Sequence, residues 1–294
     1  MRIGIFGSDY QAGKQEGIKT LFDKIRFLNG DVWVEAGFYR YLSEQFAYTP
    51  EIKGIIEFDA FPLDLIISLG GDGTFLRTVA WVGRQEIPIL GINTGRLGFL
   101  ADIGTNDINE TLDEVFQGNY LVEERSLLEL QAPDSQHVSP DFALNEIAVL
   151  RRDTSSMITI HTYLNEKFLT TYLADGLLVA TPTGSTAYSM SVNGPIIIPQ
   201  ANNFVLSPVA PHSLNVRPLV IPEDYCIRLK VETRNGNFLI ALDGRSSIYP
   251  SESEFFIRKA DFCVKMVKRT RQSFYNTLRK KLLWGTDVRP AAEY

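Results

Sequence analysis

The sequence predicts an α/β N-terminal domain followed by a β-rich C-terminal domain. Three observations carry this reading. Residues 64–69 (DLIISL) form an uninterrupted apolar run that ends in Gly70-Gly71, and residues 87–92 (IPILGI) form a second such run. Runs of this length without polar alternation suit strands buried on both faces, as in a parallel sheet. After Asn119 the texture changes to many short strand candidates separated by turn residues, which marks an antiparallel, β-rich region.

Taken in order, residues 2–6 form a short apolar strand running into Gly7-Ser8-Asp9, and helices are expected around 17–27 and 38–46. Strand 64–69 leads into a helix over 74–82, and strand 87–92 follows. Residues 107–116 set Ile108, Leu112, Val115 and Phe116 on one helical face, with Gly118 as the stop. Strand candidates then fall at 126–131, 142–150, 157–164, 167–173, 177–181, 219–221, 225–233, 238–242, 254–258 and 262–267. Asn165-Glu166 is read as a hairpin turn, and Asn235-Gly236 as the hairpin turn joining 225–233 to 238–242. Residues 270–284 look helical, with Phe274, Leu278 and Leu282 at helical spacing. The expected division is 1–119, 120–269, and a helix and tail at 270–294 free to pack back on the first domain. No internal repeat or low-complexity segment is visible.

The chain has 294 residues, 45% hydrophobic and 22% charged, with a net charge of -6. That length supports one large or two smaller cores. The acidic balance argues against nucleic acid or an anionic membrane as partner. No run approaches the roughly 20 apolar residues of a membrane span. Residues 1–6 are too short and too interrupted by glycine for a signal peptide, so a cytosolic protein is expected. Cys226 and Cys263 lie far apart without metal-ligand spacing and are read as buried thiols.

Four constellations can carry chemistry. The first is Gly70-Gly71-Asp72-Gly73-Thr74, where a buried strand gives way to a helix. Ligands bind at the carboxyl ends of strands in open α/β sheets, glycines let backbone approach a phosphate, and a helix N-terminus favours an anion. Asp72 repels phosphate, so its role is to take a proton from a hydroxyl or to position a metal; the bland alternative is an Asp at a helix start. The second is Asn93-Thr94-Gly95-Arg96-Leu97-Gly98-Phe99-Leu100, in which Arg96 faces either phosphate or solvent. The third is Asn145-Glu146 within an apolar run, where a charge must be paired, face a ligand or lie on a solvated strand face. The fourth is Asp175-Gly176 followed by the hydroxyl-rich stretch TPTGSTAYSMS at 181–191, suited to ribose and phosphate or else a polar surface loop. Neither GxxxxGK[ST] nor a GxGxxG in the right context occurs.

In this order, GGDGT at 70–74, NTGRLGFL at 93–100, NE at 145–146 and DG…TPTGSTAYS at 175–189 resemble the signature of the NAD kinases. PLVIP at 218–222 and LDG at 242–244 extend the likeness, which covers residues 64 to 245. GGDG alone is shared with diacylglycerol and sphingosine kinases and phosphofructokinases; the combination with TPTGSTAY is specific. The resemblance implies a two-domain fold with the site between domains, and phosphorylation of the adenosine 2′-hydroxyl of NAD by ATP. At matching positions it implies Asp72 as general base, Gly73 and Arg77 on the substrate nucleotide, and Asn145 and Glu146 on ribose hydroxyls and base. It implies Asp175 at the nicotinamide end, Thr186, Ala187, Tyr188, Ser189, Met190 and Ser191 along the adenosine pocket, and Asp243 near the substrate. It also implies a homo-oligomer.

Two positions depart from the family pattern. Asn193 stands where a glycine is usual, and Leu173 where several relatives carry a basic or imidazole side chain. With no His, Cys or carboxylate cluster at ligand spacing, a divalent ion, Mg²⁺, is expected to arrive with ATP and keep several waters. The alternatives are a lipid kinase of the diacylglycerol type, which requires a membrane-binding patch, and a non-catalytic dinucleotide sensor, which would lack Asp72.

Overall fold

The computed structural model describes residues 1–8, 14–57, 62–95, 97–132, 139–153 and 156–284; Asp9 and Arg96 therefore lie outside the described residues. The chain forms two compact units. One comprises Met1–Thr78, Ile87–Glu123 and Met266–Tyr294, the other Val79–Glu86 and Glu124–Lys265.

The first unit is built on a parallel sheet in the order Ile89–Asn93, Leu65–Gly70, Arg2–Gly7, Asp31–Glu35, Gly54–Ile56. Every residue of Leu65–Gly70 and of Ile89–Asn93 is buried, as their unbroken apolar runs require. Helix Gln15–Phe27 buries Ile18, Leu21, Phe22 and Ile25, a stripe at i, i+3, i+4 and i+7. Each such side chain is worth roughly 1.5–3 kcal/mol on burial. Helix Ile108–Phe116 buries Ile108, Thr111, Leu112 and Val115 and packs against it. The strand order reverses between Arg2–Gly7 and Leu65–Gly70: the chain first builds outward on one side of Arg2–Gly7 and then on the other. Ligands of open α/β sheets bind at the carboxyl ends of strands at such a reversal. Gly7 and Gly70-Gly71-Asp72 stand there.

The second unit contains a β-sandwich. One layer runs Lys167–Ala174, Ile158–Leu164, Ile227–Glu232 and the start of Glu254–Arg269, all antiparallel. The other runs Leu219–Pro222, Asn203–Val209, Gly176–Ala180, Glu146–Arg151, Asn237–Leu242 and Arg245–Pro250, also antiparallel. Their facing sides bury one core that includes Ile160, Val179, Phe204, Leu229, Phe238 and Phe255.

Four expectations from sequence need correction. Asn235-Gly236 is not a hairpin turn: Ile227–Glu232 and Asn237–Leu242 belong to different layers, and the link carries the chain between them. The hairpin turn is Asp243-Gly244, with φ of 48° and 83° between Leu242 and its partner Arg245, as a two-residue turn with both residues left-handed requires. Residues 142–150 break into Phe142–Ala143 and Glu146–Arg151, and 254–267 form one strand, Glu254–Arg269. Cys226 and Cys263 are free but only half-buried. Asn203–Val209, hidden in the sequence by Pro208, is also a strand. Its neighbour Leu219–Pro222 pairs only as far as Leu206, so the missing N–H falls beyond that ladder.

Candidate active site

In the first unit, Asp72 opens helix Asp72–Val82 directly after strand Leu65–Gly70. Its carboxylate does not cap its own helix. Oδ2 accepts the Phe99 N–H at 2.9 Å, and Oδ1 accepts those of Leu100 and Ala101, both at 3.0 Å. Residues 99–101 thus wrap this carboxylate with backbone donors. Gly98 is required for the wrap, since a Cβ there would stand 1.9 Å from Asp72 Oδ1 and 3.0 Å from the Ala101 carbonyl. Gly91 lets the same loop lie against strand Ile89–Asn93, where a Cβ would meet Leu100 O and Ala101 Cα at 2.9 Å.

Gly71 and Gly73 are different. Neither has positive φ, and a Cβ at either meets nothing within 4 Å. The fold does not demand glycine at these positions: each faces open space beside the first helical amides, which have no intrahelical partners. Arg77 lies one turn further on, exposed, with Nη2 3.5 Å from the Gly7 carbonyl at the neighbouring strand end.

In the second unit, Asn145 and Glu146 sit at the start of strand Glu146–Arg151 and are held by the Asp243-Gly244 turn. The Asp243 carboxylate accepts the N–H groups of Leu144 at 2.7 Å, Asn145 at 2.8 Å and Glu146 at 3.1 Å. Burial pushes the Asp243 carboxyl up, and these three amides oppose it. Arg245 supports the same segment by donating to the Pro140 and Phe142 carbonyls at 2.7 and 2.5 Å.

The hydroxyl-rich stretch packs beside Asn145. Thr181 Oγ1 donates to Leu144 O at 2.5 Å and accepts the Gly184 N–H at 3.1 Å, while the Thr181 N–H reaches Asn145 O at 2.9 Å. A Cβ at Gly184 would lie 2.0 Å from Asn145 O. Ser185 and Ser189 are fully buried and bond to Pro182 O and to Ser207 Oγ. Tyr188 and Ser191 are exposed, and Thr186, Ala187 and Met190 half-buried, so these present surface to a ligand where the Ser189 side chain does not. The Tyr188 N–H bonds to the Glu146 carboxylate, whose Oε2 is buried without a partner. Burial first, and then Asp243 beside it, pushes the Glu146 carboxyl up to about 8. Asparagine at 193 fits, because φ is +64° there and Asn tolerates this conformation. The model for the ATP-NAD kinase N-terminal domain matches residues 22–120, and that for the ATP-NAD kinase C-terminal domain matches residues 144–269.

The chain belongs to the NAD kinase family. It is 49% identical to an NAD kinase of Bacteroides fragilis over 289 residues, covering 98% of this chain and 100% of that one. It is 45% identical to an NAD kinase of Porphyromonas gingivalis over 288 residues, 98% and 99% of the two chains. A crystal structure of yeast NADH kinase complexed with NADH has the same fold, with a TM-score of 0.86 at 23% identity over 99% of this chain and 90% of that one. An NAD kinase of Archaeoglobus fulgidus in complex with ATP matches with a TM-score of 0.74 at 25% identity, over 96% and 99%. A lipid kinase is not favoured.

Within the NAD kinase pattern, Asn145, Glu146, Tyr188 and Asp243 come together in one unit, and Asp72, Gly73 and Arg77 in the other. Asp175 stands apart from the first of these groups. It precedes strand Gly176–Ala180, roughly 20 Å of extended chain from Thr181 at about 3.3 Å per residue, and is ion-paired to Arg151 at 2.9 Å. Sequence reading missed Arg245, Arg151 and Ser207. Their partners are distant in sequence, and no motif marks them. Among the described residues no three His, Cys, Asp or Glu side chains converge as metal ligands, and no helix is long and apolar enough to cross a membrane.

Proposed function

We propose that this protein transfers the γ-phosphoryl group of ATP to the adenosine 2′-hydroxyl of NAD, giving NADP. The observation that carries the reading is the pair of unforced glycines, Gly71 and Gly73, flanking a carboxylate at the strand-order reversal. Phosphoryl transfer needs positioning and charge neutralisation more than covalent help. Open backbone amides at a helix start suit the phosphates. Asp72 has three amide partners over two oxygens, which leaves a lone pair on Oδ2 to take the hydroxyl proton as the new P–O bond forms. Gly73 and Arg77 serve the nucleotide phosphates.

In the second unit, Asn145 and Glu146 serve ribose hydroxyls and base, while Thr186 to Ser191 line the adenosine with exposed or backbone groups. Asp243 serves by fixing Asn145 and Glu146 through the backbone amides that its carboxylate accepts. The strand length that separates Asp175 from Thr181 suits the opposite, nicotinamide, end of an extended dinucleotide. Among the described residues no ligand cluster converges, and a Mg²⁺ ion would be held by triphosphate oxygens and water, with Asp72 a candidate for a water-mediated contact. Such an ion would neutralise phosphate charge.

The reading includes a homo-oligomer, for which the supporting ground is family resemblance, and a cytosolic location. Light scattering should give a mass at least twice the 33.1 kDa of the chain, and a monomer would contradict the assembly. The functional test is incubation of purified protein with NAD, ATP and Mg²⁺, read with an NADP-specific dehydrogenase. NADP formation that needs both substrates is expected; its absence would overturn the reading.

A further inference from the structure

We propose that the C-terminal helix Phe274–Leu282 is a positioning device for Asp72, acting through the loop 97–102, with Lys281 and Phe274 as the positioning residues. This rests on the role assigned to Asp72 above. The loop has two sides. Its inner side is the row of Phe99, Leu100 and Ala101 amides that fixes both Asp72 oxygens. Its outer side is held by the end of the chain. Lys281 Nζ donates to the Leu97 carbonyl at 2.8 Å and lies 5.2 Å from the centroid of the Phe99 ring. That ring packs against Phe274, with centroids 6.3 Å apart.

The far end of the loop is held by the segment leading into the helix. Gln272 Nε2 donates to the Asp102 carbonyl at 2.8 Å, and Lys268 forms a buried ion pair with the Asp102 carboxylate at 2.7 Å. Residues 97–102 are therefore fastened at both ends and at a ring between. The loop cannot shift toward the strand at Gly91, where its backbone already lies close. What remains adjustable is the outer fastening. A carboxylate bound by three amides points where those amides point, so loosening Lys281 and Phe274 lets the Asp72 Oδ2 lone pair wander from the direction in which a substrate hydroxyl must meet it. Angular error of this kind lowers the rate of a positioned proton transfer more than it lowers affinity.

The helix is suited to an adjustable role. It is short, begins at the Ser273 cap, where Oγ accepts the Asn276 N–H at 3.3 Å, and is largely exposed. Lys281 itself is exposed, so its removal leaves the core of the unit intact.

The test uses Lys281→Met, Lys281→Arg and Phe274→Leu, with Lys280→Met as control. Lys280 carries the same charge on the same helix without a hydrogen bond to the loop among the described residues. Amide hydrogen exchange at Phe99, Leu100 and Ala101 is measured beside kcat and KM for NADP formation. Lys281→Met and Phe274→Leu should speed exchange at these three amides and lower kcat about twofold to tenfold with KM for NAD nearly unchanged. Lys281→Arg should restore most of both, because it keeps the donor and the cation over the ring. Lys280→Met should match wild type. Unchanged exchange and kcat in Lys281→Met and Phe274→Leu would overturn the proposal while leaving the kinase reading intact. If wild type forms no NADP, the kinase reading fails, and the exchange of the three amides still decides whether the helix holds the loop.

Discussion

The Asp243 carboxylate accepts the Glu146 N–H at 3.1 Å, while the Asp243 N–H returns to the Glu146 carbonyl at 3.2 Å. This reciprocal pair joins a left-handed hairpin turn to the first residue of strand Glu146–Arg151. It turns Asp243, assigned from sequence to the substrate, into the anchor of the residues assigned to ribose.

The anchor is open to direct test. Asp243→Asn tolerates the turn but sets an amide NH₂ against at least one of the three N–H donors. An unsatisfied buried donor costs about 1–3 kcal/mol, and urea denaturation should show a loss of that order. NAD affinity should fall with it. Unchanged stability would mean that the three amides do not depend on the carboxylate.

Glu146 gives a pH dependence with a definite sign. Its carboxyl is pushed from the ordinary 4.5 to about 8 in the folded protein. Between these values the folded state holds a proton that the unfolded state has lost. Its stability contribution is therefore full below about 4.5, falls as pH rises toward 8, and is constant above. The total is on the order of a few kcal/mol. Glu146→Gln should remove this slope, so that denaturation midpoints at ~pH 5 and ~pH 9 draw closer together than in wild type. The same slope in both proteins would show that another group titrates.

The glycines divide into two classes. Gly73→Ala should leave stability unchanged or raise it by up to about 1 kcal/mol, and Gly71→Ala, at the N-cap, should lower it by no more than about 1 kcal/mol, yet both should reduce NADP formation by tenfold or more, about 1.4 kcal/mol of transition-state binding. Gly98→Ala and Gly184→Ala should destabilise, because their Cβ atoms meet Asp72 Oδ1 at 1.9 Å and the Asn145 backbone oxygen at 2.0 Å. Thermal melts beside activity assays separate the classes. Full activity in both Gly71→Ala and Gly73→Ala would remove the main support for a phosphate site there.

The Asp175 carboxylate is ion-paired to Arg151 at 2.9 Å. In Asp175→Asn the loss of a half-buried ion pair should cost no more than about 1 kcal/mol. KM for NAD should rise while KM for ATP stays put. An unchanged KM for NAD would make the Arg151 pair the whole role of Asp175.

Much of this was legible in sequence. The runs at 64–69 and 87–92 are fully buried parallel strands, and the four motifs fall at strand ends and turns. Turn reading holds at Asn165-Glu166, which closes the hairpin of Ile158–Leu164 and Lys167–Ala174, and fails at Asn235-Gly236. Asn235-Gly236 and Asp243-Gly244 carry nearly the same local signal, yet only the second closes a hairpin. The first links two layers because the strands flanking it find other partners, and pairing of that kind is decided by tertiary packing, not by the turn. The wrapping of Asp72 by residues 99–101 and the reach of Lys281 to Leu97 were equally hidden. Both join groups far apart in the chain through backbone atoms, which no residue type advertises.

In the proposed reaction Asp72 takes the proton from the 2′-hydroxyl during transfer. The most direct measurement is kcat for NADP formation by Asp72→Asn at saturating NAD and ATP, beside NAD affinity. Asparagine keeps an acceptor for the Leu100 and Ala101 amides but has no basic oxygen to offer. General-base help is worth roughly 10²–10⁴ in rate, so kcat should fall by about that factor while NAD binding holds within a few-fold. Turnover near that of wild type, or loss of NAD binding with kcat intact, would contradict the account.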